Sequence, residues 1–254
     1  MTNAMAGVTL ISIASAMIGS YIVTRRMVFI SGGITHACFG GLGLGYYLGI
    51  SPMMMASLFA VGGALGVERL SRSGVRRDSA IAVVWALGMA LGILFIFLTH
   101  GFVPELNTFL FGNVLTITRA DLISFAALTA LLIGFYLCFF RLIVSVSFDQ
   151  DFARTRNLPV GFINMAMTVL VAVSIVLTIR MIGIMLLMSL VSLPQMVAER
   201  FTHRYLPMVL LSVGISLAGC LGGLWGAYLI SVPASAAIVL LLVAAYGVAS
   251  LIKR

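Results

Sequence analysis

The sequence predicts an all-α membrane protein, a polytopic bundle of about eight or nine transmembrane helices with a short cytoplasmic helix on one connection. Of its 254 residues, 62% are hydrophobic and 9% are charged, whereas soluble domains are about 45–50% apolar and about 25% charged. The charges also cluster between apolar stretches of roughly 20 residues, the length that crosses the hydrocarbon core of a bilayer. We therefore expect a single transmembrane domain over 1–254.

Nine apolar spans can be counted along the chain, and the third, sixth and seventh are short. They are 5–24, 27–50, 52–68, 80–99, 122–146, 161–179, 181–198, 207–230 and 233–251. The first has no basic residue before it and is followed by Arg25 and Arg26. It is therefore predicted to be a membrane span rather than a cleaved signal peptide.

The basic residues orient these spans with the N-terminus outside and the C-terminus inside. In that orientation 13 of the 15 basic residues lie on the inner side, and only Arg119 and Arg180 lie outside. Cytoplasmic loops carry this excess of arginine and lysine. The net charge of +8 is therefore explained by the inner loops rather than by a nucleic-acid surface.

The second span is rich in glycine and holds no formal charge. Gly41, Gly45 and Gly49 are spaced by four residues and therefore line one helical face. Such a face lets another backbone approach closely, which is how helices pack where lipid replaces water. We expect this face to pack against another helix.

The same span carries His36, which falls on one side of the helix with Gly40 and Gly43. An ionisable residue inside a membrane span is a functional-site candidate, and a neutral imidazole is a good ligand for zinc, manganese or iron. The alternative is that His36 donates one hydrogen bond to a neighbouring helix and has only a packing role. The spacing leaves both open.

The outer segment 100–121 is too short and too polar to span a membrane, and we interpret it as an interfacial or re-entrant piece. His100 and Glu105 lie in it and could meet a cation at the outer mouth. Such residues are more often simply solvated. Later in the chain, Pro194 should break or kink the seventh span, and Gln195 beside it could satisfy freed carbonyls or line a cavity.

The cytoplasmic stretch 147–159 predicts a short capped helix. Ser147 with Gln150 fits a capping box, and Pro159 limits the helix to about ten residues. Acidic residues near its start and basic residues near its end match the helix dipole. These residues are Asp149, Asp151, Arg154 and Arg156.

Two phenylalanines give this short helix an apolar face. Phe148 and Phe152 are four residues apart, and Ala153 adjoins them. A short helix with such a face on the cytoplasmic side is suited to docking into a groove of a partner. The alternative is a surface helix that rests on the rim of its own bundle.

Five stretches occur in one order along the chain. They are Gly32 to His36 with Gly40, 109–115 with 119–121, 148–153 with Leu158 and Pro159, 186–198, and 232–237. Together they resemble the membrane permease of ABC importers that take up divalent metals, namely zinc, manganese or iron. No single stretch is specific, but the ordered set covers most of the chain.

The resemblance implies an ATP-driven importer in the bacterial cytoplasmic membrane, with two copies of this chain lining the path. It implies a cytoplasmic ATP-binding subunit, an external metal-binding protein docking near 100–121, and a transported divalent ion. No cofactor is expected on this chain, and ATP would be held by the partner subunit. The glycine face of the second span would lie near the dimer axis or against a neighbouring helix. The residues implied to contact the ATPase are Phe148, Asp149, Asp151, Phe152, Arg154, Leu158 and Pro159.

Two positions depart from the family pattern. Many members have an acidic residue three positions before the histidine, where this chain has Gly33, and Thr35 replaces a serine. Half of an acid–histidine pair is therefore absent. This indicates a different metal preference or a site completed by another helix, and only His36 is carried over as a metal contact.

The chain contains no energy source of its own. A P-loop needs a lysine after its glycines, and the single lysine, Lys253, follows the last span. We therefore expect a transport subunit rather than an enzyme. A separate ATPase would dock on 148–159, close to Glu199 and Arg200.

Three other functions remain open at this point. A permease for a metal chelate, such as a siderophore or corrinoid, would share the glycine-rich helices and the separate ATPase, although it would usually need more spans. An intramembrane enzyme lacks support because no Gly-x-Ser-x-Gly elbow and no His-Glu-x-x-His pair occurs. A membrane scaffold would leave 147–159 and the outer segment unexplained.

Overall fold

The structure is a computed structural model, and it describes residues 2–99, 112 and 117–252. Within these residues the regular structure is all helical, which confirms the predicted fold class. The helices are α1 Thr2–Thr24, α2 Phe29–Leu48, α3 Pro52–Arg72, α4 Arg77–Leu98, α5 Arg119–Phe148, α6 Gln150–Thr155, α7 Val160–Phe201, α8 Tyr205–Ile230 and α9 Ala234–Ile252.

Seven helices of the described residues are long and apolar enough to cross a membrane, and α2 and α6 are not among them. Helix α6 has only 6 residues. Helix α2 has 20 residues, but its glycines and His36 lower its hydropathy. Most of α2 is buried, because it packs against α3 and α4. A helix shielded by its neighbours does not need a uniformly apolar surface.

Helix α7 contains two of the predicted spans, 161–179 and 181–198. Its 42 residues would extend about 63 Å as one straight helix, about twice the thickness of a hydrocarbon core. Gly183 interrupts it with φ 76° and ψ 175°, a conformation that residues with a side chain rarely adopt. The break divides α7 into two lengths that each suit one crossing.

The chain forms two compact units. Unit 1 contains Met1–Arg26, Asn107–Gln150 and Leu177–Arg254, and unit 2 contains Met27–Leu106 and Asp151–Val176. In unit 1, α1 packs on α5 and α8, and α8 packs on α9. In unit 2, α2 lies between α3 and α4.

In unit 1, two long-range hydrogen bonds fix the direction of α1 against α5. The Tyr136 hydroxyl donates to the Met17 carbonyl at 2.7 Å, and Arg25 Nη1 donates to the Val146 carbonyl at 3.0 Å. The bond made later in α1, by Arg25, is also the bond made later in α5, at Val146. The helices α1 and α5 therefore run parallel. This is the relation that the predicted alternation of spans gives to the first and fifth.

Pro194 has no backbone N–H, so the Leu190 carbonyl of α7 lacks its usual helical partner. The side chain of Gln195 donates a hydrogen bond to that carbonyl instead. The amide Nε2 of Gln195 donates to the Leu190 carbonyl at 3.1 Å and to the Ser15 carbonyl of α1 at 3.0 Å. Gln195 is fully buried. Of the two roles predicted for this residue, the structure therefore shows satisfaction of a freed carbonyl, and the same amide ties α7 to α1.

In unit 2, two glycines of α2 lie against the backbone of α3. A methyl group on Gly41 would collide with the Met55 carbonyl, and one on Gly45 would lie 2.6 Å from Pro52 Cα. Gly49, the third residue predicted for this face, has another role. It ends α2 in the left-handed conformation with φ 67°, and nothing lies within 4 Å of where its side chain would be.

Two further glycines of α2, Gly40 and Gly43, meet α4. A methyl group on Gly40 would lie 2.9 Å from the Gly88 carbonyl oxygen, and one on Gly43 would lie 2.6 Å from the Gly92 carbonyl oxygen. The two helices are parallel and in backbone contact, the arrangement that small residues permit in membranes. Both glycine faces of α2 are thus covered by helices of the same chain. Of the two locations expected for the glycine face, the structure shows the contact with a neighbouring helix.

The tight α2–α4 contact predicts opposite effects for one substitution at two glycines. Gly88→Ala should lower the free energy of unfolding by about 1–3 kcal/mol, because its methyl group would meet the His36 carbonyl and the backbone of Ala37. Gly62→Ala in α3 should raise it by about 0.5–1 kcal/mol, because nothing lies within 4 Å and alanine favours a helix. Thermal unfolding in detergent would measure both. An unchanged or higher thermal midpoint for Gly88→Ala would contradict the α2–α4 contact.

Candidate functional site

The metal contact predicted from the sequence, His36, lies in α2 beside its contact with α4. Its imidazole stacks on the indole of Trp85, with ring centroids 4.4 Å apart and 22° between the ring planes. Each residue lies about one turn before a glycine of the close contact, Gly40 in α2 and Gly88 in α4. Both rings are half-buried. The stack therefore exists because the two backbones approach closely at this level.

No other polar side chain of the described residues engages the ring of His36. Thr35 donates to the Ser31 carbonyl at 2.6 Å, so its hydroxyl is used within α2. Gly33 is buried, and a methyl group there would lie 2.8 Å from Ile81 Cγ2. The place where the resembling family carries an acid is thus filled by an α4 side chain.

The described residues contain no group of three or more His, Cys, Asp or Glu that could hold a metal ion. His100 and Glu105, the other two residues predicted to meet a cation, lie outside the described residues. What the structure places at this level is one imidazole with an aromatic neighbour. Such a site can contribute a single neutral nitrogen ligand to a passing ion.

The predicted coupling segment contains a short helix, but its limits differ from the prediction. Helix α6 has 6 residues rather than about ten. It ends before Pro159 because Asn157 is left-handed, with φ 54°. The amide of Asn157 bonds to the Arg154 carbonyl and that of Leu158 to the Ala153 carbonyl, which is a Schellman motif.

The predicted capping box at the start of this helix is wrong. Ser147 lies inside the last turn of α5, and its hydroxyl donates to the Ile143 carbonyl at 2.6 Å. It therefore closes the long helix rather than opening the short one. The dipole prediction stands in part, since Asp151 is in the first turn of α6 and Arg154 in the last. These two form an exposed ion pair at 3.4 Å.

The two phenylalanines predicted to share a docking face lie on different helices. Phe148 is the last residue of α5, and its ring meets that of Tyr205 edge-on at 6.3 Å. Phe152 is on α6, where the Arg156 guanidinium lies 5.4 Å from its ring centroid. Phe148 is 59% exposed and Phe152 is 53% exposed. Each thus presents apolar surface at the connection, while Ala153 is buried.

Sequence reasoning missed a buried carboxylate near this connection in unit 2. Glu68 is the only buried Asp or Glu among the described residues. Its oxygens lie 3.2 Å from Arg72 Nε and 3.0 Å from Arg77 Nη2, so it ties the end of α3 to the start of α4. A methyl group on Gly161, at the start of α7, would lie 3.9 Å from Arg72 Nη2. The spacing of four between Glu68 and Arg72 was the available signal.

A second missed feature lies at the start of α5. Thr118 and Asp121 form a capping box, with the Thr118 hydroxyl accepting from the Asp121 amide at 3.2 Å. The Asp121 carboxylate also pairs with Arg180 Nε at 2.9 Å. Threonine followed three residues later by an acid before an apolar run is the sequence signature of this cap. The ion pair also joins two charges that were both predicted to lie at the outer side.

Comparisons with known proteins extend over nearly the whole chain. The model of the ABC 3 transport family matches residues 1–253. A protein of Chlamydia pneumoniae named "Probable metal transport system membrane protein" is 32% identical over 250 residues, covering 96% of this chain and 85% of the other. A protein of Listeria innocua named "Manganese transport system membrane protein MntC" is 28% identical over 231 residues, covering 91% and 82%.

A solved structure has the same fold. PsaBC from Streptococcus pneumoniae, determined in complex with Fab, contains a chain with a TM-score of 0.83 and 25% sequence identity to this one. The likeness covers 98% of this chain and 90% of that one. The similarity therefore includes both compact units.

Proposed function

The chain belongs to the ABC 3 transport family, and from that premise we propose that it is the membrane permease of an ATP-driven importer of a divalent metal ion. Manganese is the first candidate, with zinc and iron next. Two relatives support this choice of cargo, because one is named as a metal transport protein and the other as a manganese transport protein.

The observation that carries the metal assignment is the imidazole of His36. It is half-buried within α2, and among the described residues no hydrogen bond engages it. A neutral imidazole offers an in-plane lone pair to manganese, zinc or iron. A transported ion must leave its site as well as enter it. A site with few ligands binds the ion weakly and is therefore suited to transport, just as weak binding is suited to conduction in channels. The remaining ligands would come from a second copy, from the outer segment or from water.

ATP hydrolysis is assigned to a separate subunit docked on the coupling segment 148–159. Phe152 offers exposed apolar surface there, and Asp151 and Arg154 offer exposed charges. ATP binding would draw two such subunits together and tilt the short helices attached to them. The path between two copies of the permease would then open to one side at a time, in the bacterial cytoplasmic membrane. An external metal-binding protein would deliver the ion at 100–121.

The proposal is tested by measuring cell-associated manganese, iron and zinc by elemental mass spectrometry. Cells with this chain and its ATPase are compared with cells that lack only this chain. We expect one metal to fall several-fold on deletion and to recover on complementation, which identifies the cargo and the direction together. If none of the three changes, the divalent-ion proposal is wrong, and siderophores and corrinoids become the next substrates to test.

A further inference from the structure

We propose that Trp85 is the positioning residue for His36, holding the imidazole plane so that its ring edge is presented to the arriving metal ion. This rests on the proposed role of His36 as a metal contact. Trp85 is one of two tryptophans in the chain, and it lies in α4, 49 residues beyond His36 in sequence.

Within residues 2–99, 112 and 117–252, no side chain other than Trp85 orients the ring of His36. A histidine that binds metal through one ring nitrogen usually donates the N–H of the other ring nitrogen to a carboxylate or carbonyl. That hydrogen bond fixes the orientation of the ring and so the direction of the metal-binding nitrogen. Among the described residues the imidazole of His36 has no hydrogen bond, and its neighbour Thr35 is bonded to Ser31. The stack on Trp85 at 4.4 Å is its one directional side-chain contact in that part of the chain. Orientation of the ring therefore depends on the indole.

Stacking and metal binding use different parts of the imidazole. The indole covers one face of the ring at an angle of 22°, whereas the nitrogen lone pairs lie in the ring plane. A metal ion can therefore approach the edge while the face stays covered. The half-buried state of His36 leaves part of the ring accessible.

The indole also favours the metal-bound ring over the free one. A divalent ion withdraws electron density from the imidazole and makes it partly cationic. The electron-rich face of tryptophan attracts cations more strongly than the face of phenylalanine does. Trp85 should therefore strengthen metal binding as well as orient the ring, and a phenylalanine in its place should substitute only in part.

The stack itself is held by backbone contact rather than by the rings. Gly40 and Gly43 of α2 meet the carbonyls of Gly88 and Gly92 of α4. Both helices therefore keep a fixed distance when Trp85 is replaced by another apolar residue. A change in metal binding in such a variant reports on the ring contact and not on the separation of the helices.

The transport test uses the full permease–ATPase complex in proteoliposomes with MnCl2 as the substrate. Trp85→Leu should raise the KM for manganese about fivefold with little change in maximal rate, and Trp85→Phe should give an intermediate KM. Trp225→Leu is the matched control, because Trp225 is 72% exposed at the end of α8, and its KM should be unchanged. An unchanged KM in Trp85→Leu would overturn the proposal.

A spectroscopic test does not depend on transport. In Trp225→Phe, Trp85 is the only tryptophan, and MnCl2 should quench its fluorescence saturably because the ion binds at the stacked ring. MgCl2 should not quench it. Adding His36→Ala to Trp225→Phe should abolish the quenching. Persistence of quenching without His36, or its absence from Trp225→Phe, would overturn the proposal even if Trp85→Leu folds poorly.

The two proposals fail in different ways. If His36→Ala stops transport and Trp85→Leu leaves KM unchanged, the positioning role is wrong and the metal contact stands. If transport by His36→Ala is normal, the metal contact is wrong, and the role of Trp85 falls with it.

Discussion

The substitution Phe152→Asp is expected to abolish association of the permease with its ATPase while leaving membrane insertion intact. Phe152 is 53% exposed on α6, so a charge there is tolerated by the fold but would enter the proposed interface. Loss of one aromatic anchor in such a contact typically costs about 2 kcal/mol or more, which is roughly thirtyfold in affinity. Co-purification of the ATPase with tagged permease from detergent extracts measures the effect.

Val75→Asp provides a matched control for this experiment. Val75 is also an exposed apolar residue on a connection predicted to be cytoplasmic, between α3 and α4. The variant adds the same charge outside the coupling segment, so the ATPase should still co-purify. Normal co-purification with Phe152→Asp would remove the coupling assignment. Loss with both variants would show that any added negative charge is harmful there.

The substitution His36→Ala is expected to lower metal flux by about tenfold or more while the complex still assembles. Loss of a hydrogen-bonding partner of a metal ligand already costs about 10–100-fold in affinity, and His36 is proposed to be a ligand itself. Uptake of the metal identified by elemental analysis would be measured in cells with equal amounts of each variant in the membrane.

His36→Phe separates metal binding from packing. Phenylalanine keeps an aromatic ring against Trp85, whose centroid lies 4.4 Å from that of His36, but it has no lone pair to offer an ion. We therefore expect the same loss of flux as with alanine, together with a thermal midpoint nearer to that of the parent protein. Recovery of flux in His36→Phe would mean that His36 has only a packing role.

Several features of this protein were predictable from the sequence because they depend on local properties. Apolar stretches of membrane length, interrupted by arginines, define the helices and indicate the orientation of the chain. The ordered set of short resemblances was sufficient to indicate the ABC 3 transport family. The capping motif Thr118–Asp121 could also have been recognised in the sequence, because both of its residues lie within four consecutive positions.

Other features were predicted with the wrong limits because one local pattern fits two structures. Ser147 suits the start of a helix, yet its hydroxyl also satisfies the Ile143 carbonyl inside a long one. Gly49 continues the spacing of Gly41 and Gly45, yet it ends α2 with a left-handed backbone. In both cases the role of the residue depends on where the helix ends, and the position of the helix end is set by packing against residues outside the local segment.

The sequence by itself determined the class of the protein and the approximate spans, and it predicts the orientation and the place of the coupling segment. Hydropathy, charge and helix-breaking residues act over one or two turns and can be read directly. Only the tertiary structure decided which helix each glycine face of α2 meets, that Trp85 covers His36, and that Gln195 bonds to α1. These contacts join residues far apart in the chain, and they depend on the rotation of each helix about its axis, which no local pattern specifies.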